Sequence, residues 1–107
     1  MEINLTSITL SQGDRAIDLR YASAVMHIVT DILERGWFVS IQGLDNPGFA
    51  EALFASDDIR MRMLATTAEG IRLEGDCHVH PLMDASGVHL KGEGRLYGYE
   101  ELLKRGR

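Results

Sequence analysis

Residues 75–84, Gly-Asp-Cys-His-Val-His-Pro-Leu-Met-Asp, gather much of what could do chemistry in this chain: Asp76, Cys77, His78, His80 and Asp84, with His89 close behind. Thiolates and imidazoles are the usual zinc ligands, and a Cys–His pair is one route to nucleophilic catalysis. The alternation of residue types limits both. Ile71, Leu73, Gly75, Cys77 and Val79 alternate with Arg72, Glu74, Asp76, His78 and His80. Successive side chains of a strand point to opposite faces. Cys77 therefore cannot share an ion with His78 and His80, and it cannot form a dyad with His78. It reads as a small core residue, because free cysteine is among the most buried residue types.

His78 and His80 do share a face, and His89 falls diagonally beside His80 on the next strand. Three histidines so placed could hold zinc and support a metal-dependent enzyme. The expected register sets Lys91 across from His80, which opposes a cation. The His-x-His pair resembles the signature of cupin barrels over a few residues. Arg72 stands where that family has its leading glycine, Asp84 replaces the glutamate, and no second histidine motif follows. The other candidate chemistry is anion binding. Arg60, Arg62, Arg72 and Arg95 form rows that could receive a nucleotide or another anion. The loop Gly43-Leu44-Asp45-Asn46-Pro47-Gly48 enters an expected helix start, where free N–H groups favour anions. That loop matches neither a P-loop nor a dinucleotide fingerprint. Ser40 and Ser86 have no evident base and no elbow motif. No residue is assigned a catalytic role, and no cofactor is expected.

The elements that must position these groups follow from periodicity. Residues 2–10 read as a strand whose apolar parity changes from Ile3 and Leu5 to Ile8 and Leu10, which predicts a bulge near Thr6–Ser7. Residues 14–35 read as one long helix, capped by Ser11 or Asp14 and stopped by Gly36. One stripe of it is Ile17, Tyr21, Ala24, Val25, Ile28 and Ile32. A second is Leu19, Ala22, Met26, Val29 and Leu33, and it needs cover from elsewhere in the chain or from another copy. Residues 37–44 read as a strand. Asn46-Pro47 opens a short, apolar helix reaching about residue 55. A three-stranded meander follows, with turns at 68–70 and 84–87. Its expected register puts Ala65 opposite Leu73, Met63 opposite Gly75 and Met61 opposite Cys77. On the other side, Val79 is expected opposite Gly92 and Cys77 opposite Gly94. Residues 99–105 close as a short helix.

This order predicts a single α+β domain over residues 1–107. A mostly antiparallel sheet (N-terminal strand, 37–44 strand, C-terminal meander) would wrap one long helix, an order that looks like the cystatin-like arrangement by fold analogy alone. The chain has 107 residues, 45% hydrophobic and 25% charged, with a net charge of -5. The balance is that of a globular domain and disfavours nucleic-acid binding, which is driven by basic patches. No apolar run is long enough for a membrane span. No signal peptide is expected, and the lone Cys77 fits a reducing cytoplasmic compartment. The expected function is that of a small acidic non-enzymatic binding protein of the inhibitor, immunity or accessory type. It would act by protein–protein contact, and the expected homo-oligomer is a homodimer through Leu19, Met26 and Leu33. Leu19, Met26, Leu33, Trp37, Phe49 and Phe54 are its expected contact residues. A small-ligand or nucleotide binder using the four arginines is the first alternative. The three-histidine metalloenzyme is the second.

Overall fold

The structure is a computed structural model that describes residues 2–30, 35–46, 48, 59–81 and 87–105. Among the described residues, seven strands and one helix follow in chain order. They are β1 (Glu2–Gln12), β2 (Arg15–Asp18), β3 (Ser23–Thr30), β4 (Arg35–Gln42), β5 (Arg60–Thr67), β6 (Arg72–Pro81), β7 (Gly87–Tyr97) and α1 (Tyr99–Arg105). Their order in the sheet is β2-β1-β3-β4-β7-β6-β5, and β5 pairs again with β1. Every pairing is antiparallel. Six strands thus close into a barrel, and β2 is an extra ribbon on β1.

The fold is therefore not an α+β sheet wrapped on a long helix. Residues 15–18 and 23–30 of the expected helix are strands, and residues 31–34 lie outside the described set. Two local features explain the difference. Gly13 and Asp14 form a two-residue hairpin turn, with Gln12 opposite Arg15 and Gly13 at φ +61. Glycine as first central residue of such a turn matches the twist of the flanking strands. The run Ser-Ala-Val-Met-His-Ile-Val-Thr is apolar on both parities, so the same residues satisfy a helical stripe and a strand. Pairing decides between them. All eight residues of β3 are in register with β4, from Ser23 opposite Gln42 to Thr30 opposite Arg35. Gly36, expected to stop a helix, is an ordinary β4 residue opposite Val29. The expected short helix from Asn46-Pro47 to about residue 55 and the turn at 84–87 fall mostly outside the described residues.

The expected bulge is present: Leu5 faces Thr67 and Ser7 faces Thr66, so Thr6 is the extra residue. It moves the inward parity of β1 from Leu5 to Ile8 and Leu10, all buried. The β5–β6 register is also as expected, with Ala65 opposite Leu73, Met63 opposite Gly75 and Met61 opposite Cys77. The β6–β7 register is offset by two residues from the expected one. Cys77 faces Gly92 and Val79 faces Leu90. Beyond Asp76 a bulge intervenes, and Glu74 faces Tyr97. Gly94 takes φ +79 on the long side of that bulge. A slip of two keeps every side chain on its expected face.

The interior is packed by side chains from every barrel strand. Met26, Val39, Ile41, Met63, Leu73, Val79, Val88 and Leu90 are fully buried. Trp37 is the largest wedge. Its indole lies over Gly75 and Gly92, where an added Cβ would come within 2.8 and 2.2 Å of the ring. Its Nε1–H donates to the Gly94 carbonyl at 3.3 Å. The two glycines thus make room for one tryptophan. Leu96 and the α1 residues Tyr99 and Leu102 are buried on the same core. The buried Thr67 hydroxyl accepts the Ile71 N–H at 3.0 Å, and no buried side-chain polar atom among the described residues is unpaired.

Candidate binding face

A filled barrel leaves its outer wall and its mouths for function. The outward positions on β3, β4, β7 and β6 carry a row of rings. His27 on β3 stands opposite Phe38 on β4, their rings stacked at 4.6 Å. Phe38 is 5.1 Å from His89 on β7. His89 stands opposite His80 on β6, and the His80 ring is 6.5 Å from His78. Lys91 lies between Phe38 and His78 in the ladder. All four histidines of the chain lie on this face. Burial against the sheet lowers the pKa of His89, and the nearby His80, His27 and Lys91 add repulsion to a second proton.

Carboxylates bracket the row. Glu2 is 3.5 Å from His27 at the β1 end. Glu93 meets His78 at 3.3 Å and Arg60 at 3.6 Å at the β5 end. Beyond them, Arg62 holds Glu74 at 2.9 Å and Asp76 at 3.1 Å, and these bonds raise its pKa. Arg62 and Arg95 also lie 5.3 and 5.1 Å from the exposed Tyr97 ring, and Arg95 reaches Glu100 at 3.2 Å.

These positions can be set against the expected sites. Of the four arginines, Arg60, Arg62 and Arg95 each engage a carboxylate, and Arg72 is exposed opposite Thr66 near one end of the barrel. Arg62 and Arg95 are brought together over the Tyr97 ring. His78, His80 and His89 are brought together as expected, but Lys91 faces His78 and not His80. Among the described residues no group of three histidine, cysteine or acidic side chains could hold a metal ion. Leu19, Met26 and Trp37, expected at a partner interface, are buried in the barrel core. Leu33, Phe49 and Phe54 lie outside the described residues. Cys77 is fully buried, as expected for a core residue. Desolvation, reinforced by Asp76, pushes its thiol pKa up to about 12, so it is no nucleophile at neutral pH.

His27 and Phe38 had no signal in the sequence as members of this face. They join the later histidines only through the β3–β4 and β4–β7 pairings, which no local pattern announces. At one mouth, Glu2, Ile3, Asn4, Thr67, Ala68, Glu69 and Leu102 line an open cleft of about 350 Å³. No helix among the described residues is long and apolar enough to cross a membrane. The chain matches no protein-family model, and neither a curated protein nor a solved structure matches it.

Proposed function

We propose that this protein is a small non-enzymatic binding protein of the cytoplasm that contacts a protein partner through the outer wall of its barrel. The observation that carries this reading is the ring row His27–Phe38–His89–His80 on a barrel whose interior is already full. A packed interior offers no chamber for a substrate. An outward aromatic ring among imidazoles offers contact area that is costly to leave in water. The charged outer positions Arg62, Glu74, Asp76, Lys91 and Glu93 suit a wall that faces water and not lipid. The inhibitor, immunity and accessory classes all work this way.

The test compares affinity capture from the native host with wild-type bait and with a Phe38→Ser/His89→Ser bait. A partner retained by the first and lost by the second supports the proposal. Equal capture by both baits sinks it. A second reading, small-ligand binding, draws on the cleft at the barrel mouth, whose volume is at the lower end for such sites. Its acidic rim, Glu2 and Glu69, suits a cationic ligand better than the anion expected from the arginines. A thermal-shift screen of amines and nucleotides separates the readings, since only a ligand that binds the folded state raises the melting temperature.

A further inference from the structure

We propose that the ring row on β3, β4, β7 and β6 is a docking strip for a short acidic polypeptide segment, engaged when its histidines are protonated. The inference rests on the protein-binding reading above and names the chemistry of the partner. Three observations carry it.

The first is charge segregation. The chain is acidic overall, at -5, yet all four of its histidines lie on this strip with Lys91. The ionisable groups that face it are Glu2 from β1, His27 from β3, His89, Lys91 and Glu93 from β7, Glu74, Asp76, His78 and His80 from β6, and Arg60 and Arg62 from β5. β4 contributes Phe38 and Ser40, which carry no charge. Arg62 is shared between Glu74 and Asp76, Glu93 is shared between Arg60 and His78, and Glu2 lies against His27. Acidification therefore adds positive charge here, because imidazole is the side chain whose charge changes between pH 5 and 8, with His89 gaining its proton at a lower pH than an ordinary imidazole.

The second is size. Four strands span three inter-strand steps of about 4.8 Å, or about 14 Å, which matches about four residues of extended chain. Glu2 stands at the β1 end beside His27, and Glu93, on β7, reaches His78 and Arg60 within the strip. A long polyanion such as nucleic acid, or an anionic membrane, would meet those carboxylates and the acidic remainder of the surface. A short acidic segment would not. The third is shape. His27 and His89 flank Phe38 at 4.6 and 5.1 Å, so the strip offers an apolar centre between cationic positions. A segment with an apolar residue between two carboxylates complements that order.

The test is fluorescence anisotropy of a fluorescein-labelled hexaglutamate peptide at pH 5.5 and pH 7.5 in low salt. Circular dichroism at both values monitors the fold. The expected result is binding about tenfold or more tighter at pH 5.5, the gain that several exposed ion pairs give together. His80→Gln/His89→Gln should flatten that dependence, while Arg15→Gln on β2 should leave it intact. Binding that is independent of pH, a double variant that behaves as wild type, or a barrel unfolded at pH 5.5 would overturn the proposal. So would tighter binding of oligothymidylate or of phosphatidylserine vesicles. If hexaglutamate fails while the Phe38→Ser/His89→Ser bait still loses its captured partner, the acidic chemistry is refuted and the protein-binding reading stands.

Discussion

The two faces of β6 and β7 are made from the same twenty-odd residues and obey different rules. Inward, Gly75, Cys77, Val79, Val88, Leu90 and Gly92 are selected by volume, since Trp37 must fit over the two glycines. Outward, Asp76, His78, His80, His89, Lys91 and Glu93 are polar or charged: Asp76 faces Glu93, His78 faces Lys91 and His80 faces His89, and the opposite charges come diagonally, from Glu93 to His78, and from Arg60 and Arg62 on β5. The inner face tolerates almost no change in size, because interiors are close-packed and a lost or added methylene is felt. The outer face tolerates almost any change in size. Packing therefore lies on one side of these strands and the titratable groups on the other.

Four substitutions test that division, in falling order of effect. Trp37→Ala empties the centre of the barrel and should cost about 3–5 kcal/mol, measured by urea unfolding. A loss below 1 kcal/mol would show that the indole does not fill the interior. Gly92→Ala presses a methyl group to within 2.2 Å of the Trp37 ring and should cost about 1–3 kcal/mol. Combining it with Trp37→Leu should recover part of that cost, since the clash and the ring go together. Additive losses would argue that Gly92 is required for another reason.

Arg62→Gln removes the pairs with Glu74 and Asp76, both of them on the exposed face. The cost should be under about 1 kcal/mol and should shrink further in high salt. A larger, salt-independent loss would mean that the outer wall shares in holding the fold. The smallest effect is that of His89. Its folded-state pKa lies below the ordinary imidazole value of 6.5, so the unfolded chain binds the proton more readily. Stability should hold above pH 6.5 and fall as the pH drops below it toward the folded-state value. His89→Gln should remove that part of the slope, read from urea midpoints at several pH values. An unchanged slope would assign the effect to another group.

The sequence showed this division of faces well and the closure of the barrel poorly. The alternation of β5, β6 and β7, the β1 bulge and α1 are local patterns, and each was legible. The face of Cys77 against those of His78 and His80 followed from period two alone. The stretch Ser23–Thr30 was not legible, because Ala24, Met26 and Ile28 alternate with Val25 and Val29 in a run that also fits helical spacing. Only β4, pairing along its whole length, makes the run a strand. The same cause hid half of the ring row. His80 and His89 are hairpin neighbours, whereas His27 reaches them across β4. Apolar residues that look surplus on a helix, such as Leu19 and Met26, are the filling of a closed barrel.

The seam between β1 and β5 has a consequence for how the chain reaches this state. Leu5 meets Thr67 about sixty residues later, while the β3–β4 and β5–β6–β7 pairings join near neighbours in sequence. β1 therefore has to wait for β5 before its second edge is satisfied. Local hairpins form in microseconds, but a contact of such long span carries the loop-closure entropy that slows folding. The β4–β7 pairing is of similar span, so closing these two seams is the expected late step, and until then β1, β5, β4 and β7 each present an open edge to other chains.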